Sequence, residues 1–129
     1  MGNDTLIVEL YDTLSRGDFS IEDVKAKYSS LTERDPGEHW YDSIKLSESI
    51  SKKGKKADTP TLSRLATEHL TAYLDAVRPT DNPEVKKEKA SLYVEGLLSK
   101  GGPSTDAFKK AIGEEKTADL FRNVLFGTK

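Results

Sequence analysis

The chain has no cysteine among its 129 residues. That absence excludes a disulfide framework, a thiolate metal site and a cysteine nucleophile, and it suits a reducing compartment. Histidine is nearly as scarce, with two copies. Neither sits in a neighbourhood that suggests a catalytic triad, and GxSxG, SxxK and the phosphate-cradling GxxxxGK[ST] are all missing. No apolar run approaches the roughly 18 residues that span a bilayer, so no membrane segment is expected. The start, MGNDTLIVEL, lacks a basic region and carries acids, unlike a secretory signal. Gly2 invites a myristoylation reading, but Leu6 stands where that motif wants Ser or Thr. A soluble, cytoplasmic, non-enzymatic protein without cofactor or metal is the expectation.

Charge is plentiful, at 33% of residues, and nets to −2. It is unevenly spread. Residues 1–40 carry nine acids and four bases, residues 41–67 three acids and six bases, and residues 68–129 ten of each. An acidic front and a basic middle suit charge-guided docking, although a solvated surface also varies in this way.

Apolar spacing reads as helical throughout. Leu6, Ile7, Leu10, Tyr11 and Leu14 predict a first helix that stops at Gly17. Ser20 with Asp23 forms an approximate capping box for a second helix through Ile21, Val24 and Tyr28. Pro36–Gly37 marks a turn, and Trp40, Ile44, Leu46 and Ile50 suggest an amphipathic helix over 40–50. The strongest signal follows Thr59–Pro60, where Leu62, Leu65, Ala66, His69, Leu70, Tyr73, Leu74 and Val77 make a wide stripe ended by Pro79. Asn82–Pro83 opens another helix that runs to Gly101–Gly102–Pro103. Ser104 starts a shorter one, and a last helix carries Ala118, Phe121, Val124 and Leu125. No alternation, β-branched run or Asn-Gly hairpin announces a strand. The fold class expected is therefore all-α: one domain over 1–129, a compact bundle of six or seven short helices without a sheet. The segment around 51–59 is expected to be a mobile basic connection.

Two stretches, LSRGDFSIEDVKAKY at 14–28 and LSKGGPSTDAFKKAI at 98–112, share five residues in register. Chance supplies such matches, and local capping chemistry supplies their common placement at a helix–Gly–Ser corner. A DNA-reading helix pair fits poorly. With Gly17 as the turn, its buried slots fall on Asp12, Arg16, Asp18 and Asp23, and unpaired charges are not tolerated there.

Three functional readings remain. The first is binding of another protein, as an adaptor, inhibitor, chaperone or assembly factor, with homo-oligomer formation as one form of it. Trp40 and Tyr41, the one adjacent aromatic pair, are its candidate anchors, although they equally suit a core plug. Asp12, Asp18 and Glu22 are its candidate acidic docking residues. The alternative is a helical nucleic-acid-binding regulator that uses the basic 45–64 segment: Lys45, Lys52, Lys53, Lys55, Lys56 and Arg64. No aromatic lies within KKGKK, so base stacking there has no candidate. A third and weaker reading is metal-assisted chemistry at His39 and Asp42, three residues apart, with Glu38 or Asp35 nearby.

Overall fold

The computed structural model describes residues 2–13 and 21–129. The fold is mixed rather than all-α. Five α-helices and a three-stranded antiparallel sheet are present among the described residues. Two compact units emerge: one from the chain up to Asp12 and its continuation through Pro79, the other centred on Thr80–Lys129.

The first unit holds the sheet. Strand β1 spans Asn3–Val8, β2 Thr32–Glu33 and β3 Ile50–Lys55, in the order β1-β3-β2. Asn3 lies opposite Lys55, Val8 opposite Ile50, and Thr32 opposite Lys53. The segment expected to be a basic connection is thus the central strand, and the first expected helix is an edge strand. Both corrections have one cause. Leu6 and Val8 face inward while Ile7 is half exposed between them. An apolar residue on both faces hides the two-residue period and leaves an apolar cluster that mimics a helical stripe. In β3 a lysine, Lys52, occupies an inward position, so that strand shows almost no apolar alternation. The glycine of KKGKK has a packing reason. A Cβ on Gly54 would approach the Asp58 Cβ to 2.7 Å.

Helix α1, Glu22–Lys27, is a short turn-and-a-half. The Gly17–Ser20 corner proposed to precede it lies outside the described residues, as does Asp18. Residues 40–50 form no amphipathic helix. Only Asp42–Ile44 makes a 3-10 turn, and the chain is extended again by Ile50. Helix α2, Thr59–Ala76, appears where Pro60 and the wide stripe predict it. It packs over β1, β3 and α1. Its Leu62 and Leu65 join Tyr28, Leu31 and Ile50 in the core, with Leu6, Val8 and Val24 against them. Burial of such side chains contributes about 1.5–3 kcal/mol each. Its C-terminal half does not complete the stripe, because Leu70, Leu74 and Val77 remain exposed.

The second unit is helical: α3 Pro83–Lys100, α4 Pro103–Ile112 and α5 Glu114–Asp119, followed by a π-helical turn at Leu120–Leu125. Asn82 caps α3, its side-chain oxygen accepting from the Val85 N–H at 3.2 Å. Gly101 closes it with φ +80°, a left-handed conformation that glycine adopts without penalty. Ser104 falls inside α4 rather than at its cap, which is Gly102. Gly113 separates α4 from α5. The two similar stretches occupy different settings. The described residues ahead of the first are strand and extended chain, whereas a long helix precedes the second. Val24 packs against the first unit's core, and Phe108 is 39% exposed.

Candidate functional site

The Trp40–Tyr41 pair lies in the loop between β2 and β3, where it is half-buried. Beyond β1 the chain keeps pairing: Leu46 N–H donates to the Leu10 carbonyl at 2.8 Å, and Asp12 N–H to the Ile44 carbonyl at 2.7 Å. This brings Tyr11 edge-on to Tyr41, with ring centroids 5.5 Å apart. His39 stacks on Tyr41 at 4.8 Å, and Trp40 meets it edge-on at 5.3 Å. Lys45 completes the cluster 5.9 Å from the Tyr41 ring, 3.1 Å from Asp42 and 3.8 Å from Glu9. Such aromatic pairs contribute about 0.5–1.5 kcal/mol each beyond burial. Asp42 also accepts the His39 backbone N–H at 2.8 Å. That hydrogen bond first, and Lys45 second, hold its carboxyl below the usual carboxylate range. The group is a packed structural knot, in which His39 Nδ1 is buried 3.6 Å from the Asp42 carboxylate without a hydrogen bond. Among the described residues, no set of three or more His, Asp or Glu is placed to hold a metal ion.

The other sequence-derived candidates are scattered. Asp12 is half-buried beside Ile44, and Glu22 pairs with Lys25 on α1 at 3.8 Å. Lys52 is only 3% exposed. Its ammonium pairs with Glu33 and lies 3.4 Å from the Leu31 carbonyl. Lys45 is held by Glu9 and Asp42 as described. Lys53, Lys55, Lys56 and Arg64 are exposed. The strand pleat thus splits the basic run, sending Lys52 inward and Lys53 and Lys55 to the opposite face. His69 is buried in α2, with its Nε2 2.8 Å from the Glu48 carbonyl.

The second unit carries a feature that helical spacing did not disclose. Phe121 is buried in the π turn, with Phe108 of α4 at 5.9 Å and Phe126 at 6.0 Å. Tyr93 of α3 meets Phe126 at 6.1 Å. The row is open to solvent at both ends: Phe108 and Phe126 are each about two-fifths exposed, and Ile112, one turn along α4 from Phe108, is similar. Leu92, Val124 and Leu125 are more exposed still. Among the described residues of this unit, only Val94 and Phe121 are buried large apolar side chains, and Thr105 and Thr117 also hold buried, inward positions. Every one of these apolar residues fits a core-facing stripe on paper. The signal available in the sequence was that two threonines, Thr105 and Thr117, hold inward slots of this unit. A shallow cleft over α5 and the π turn, lined by Glu115, Lys116, Asp119, Arg122 and Asn123, mixes charges of both signs.

Comparison with protein families, with curated proteins and with solved structures finds no match to this chain. No helix among the described residues is long and apolar enough to cross a membrane.

Proposed function

We propose that this chain is a non-enzymatic protein-binding module, and that the Phe108–Phe126 face of its second unit is the contact surface. One observation carries the reading. Among the described residues of that unit, six large apolar side chains are exposed (Leu92, Phe108, Ile112, Val124, Leu125 and Phe126) against two that are buried. A monomeric domain normally buries such residues; Phe108 and Phe126 both pack on the buried Phe121 ring, and clustered exposed apolar residues mark an interaction site. Aromatic side chains are also the usual anchors of interfaces. Trp40 and Tyr41 then serve the first unit's own packing rather than the partner. A cytoplasmic setting belongs to the same proposal, supported by the cysteine-free composition.

The test is affinity capture from the native host together with light scattering on the purified chain. We expect one stoichiometric companion, or self-association into a defined oligomer. Phe108→Ser with Phe126→Ser should weaken either by about tenfold or more. Leu74→Ser, which alters a still more exposed apolar residue on α2, should leave binding unchanged. Retention of the companion by the double variant, with unaltered circular dichroism, would sink the assignment of this face.

A further inference from the structure

The pleat of the sheet sorts charge by sign. α2 covers one face, towards which the acids of β1 and β2, Asp4 and Glu33, point by alternation, together with the paired Lys52. The opposite face carries Lys53 and Lys55. Arg34 joins them, because its N–H bonds the Ser51 carbonyl at 3.0 Å and so extends the β2–β3 ladder by one residue. Register and alternation also place Thr5, Thr32 and Ser51 on this face, next to the three cations. No strand position on it holds a carboxylate.

We infer that this open face is a binding site for the sugar–phosphate backbone of a single-stranded nucleic acid. Three observations converge. First, Arg34, Lys53 and Lys55 have no ion-pair partner among the described residues, whereas Lys25, Lys27, Lys45 and Lys52 of the same unit each pair with a carboxylate. Cations left unneutralised on one face, in a chain of net negative charge, are a local attraction for an anion. Second, the exposed hydroxyls of Thr5 and Thr32 lie among them, and hydroxyls are usual additional donors to phosphate oxygens. Third, Lys53 and Lys55 are two residues apart on a strand, about 7 Å, a separation that suits successive phosphates of an extended strand. Among the described residues, the face has one exposed apolar side chain, Ile7, and no aromatic. A protein interface lacks its anchor there. Base stacking is equally absent, so the contact is to the backbone and independent of base sequence.

The site lies in the first unit and does not rest on the apolar face of the second. Fluorescence anisotropy with labelled oligo-dT and oligo-dA tests it. We expect equal binding to both at low salt, with a slope of log affinity against log salt of about −2 for three phosphate contacts. The variant Arg34→Gln/Lys53→Gln/Lys55→Gln should lose about tenfold or more, and its circular dichroism melt reports whether the sheet is intact. Lys86→Gln/Lys87→Gln/Lys89→Gln removes the same charge from α3 and should bind as the unaltered chain. Four results would overturn the inference: no binding to either oligonucleotide at low salt, equal loss in both triple variants, a strong preference for one base, or a poly-glutamate peptide that competes as well as the oligonucleotide. The last would mark an acidic protein segment as the occupant.

Discussion

The Arg122 guanidinium grips the Glu95 carboxylate through two parallel hydrogen bonds, Nε to Oε1 and Nη2 to Oε2, each 2.7 Å. This fork fastens the π-helical turn to the middle of α3. Paired, hydrogen-bonded geometry of this kind is stronger and more directional than a single contact. It also draws the Glu95 carboxyl below its ordinary range.

Arg122→Lys should therefore lower the melting temperature although it keeps the charge, because an ammonium cannot reproduce the fork. Glu95→Gln should lower it too, and the double variant should cost less than the sum of the two. The Glu95 contribution is present above the ordinary carboxylate value and fades as pH falls through the depressed folded value. The melting difference between the native chain and Glu95→Gln should accordingly shrink in acid.

Lys52 and Glu33 form an unequal pair, since Lys52 is buried and Glu33 is largely exposed. Removing the carboxylate strands a buried ammonium, whereas replacing the ammonium by an apolar chain of similar length does not. Glu33→Gln should destabilise, and Lys52→Met should be neutral or stabilising. Urea unfolding of the two variants measures this, and destabilisation by Lys52→Met as large as that by Glu33→Gln would refute it.

Two groups in the first unit set opposite ends of its pH range. Asp42 titrates below its ordinary value, so its contribution is present above about pH 4 and is lost as pH falls. Tyr28 is pushed up, chiefly by burial and then by Glu68, so the neutral phenol's contribution is present below about pH 10 and is lost as pH rises. Melting temperature against pH for Asp42→Asn should converge with the native curve only in acid. The gap for Tyr28→Phe should be widest below pH 10 and close only in alkali.

The helices after Thr59 were legible because their boundaries are written locally. Pro60, the Asn82 cap with Pro83, Gly101 and Gly113 each act within a turn of their own position. The sheet was not legible, because its partners are remote. β1 finds its register only on β3, and neither strand declares a period when Ile7 faces solvent and Lys52 faces inward. The basic candidates were recognised by type but not by direction, since a run of lysines reads the same whether the pleat exposes all or half of them. The aromatic cluster of Tyr11, His39, Trp40 and Tyr41 needed that same long-range pairing to assemble. Phe121, Val124 and Leu125 were read onto one helical stripe, because spacing reports a shared face and not whether that face is covered; Phe121 is buried and the other two are exposed.

The connectivity of the sheet also orders events in time. β1 leaves the ribosome before β3, yet β3, more than forty residues later, is its one hydrogen-bonded strand neighbour among the described residues. Closing so long a loop carries an entropic cost that is met before any contact repays it, whereas the helices after Thr80 gather mostly neighbours in sequence. The two units should thus acquire structure at different rates, with the sheet the slower. While β3 is still being synthesised, Leu6, Ile7 and Val8 form an unpaired apolar strand, the interval in which the nascent chain is most exposed to mispairing.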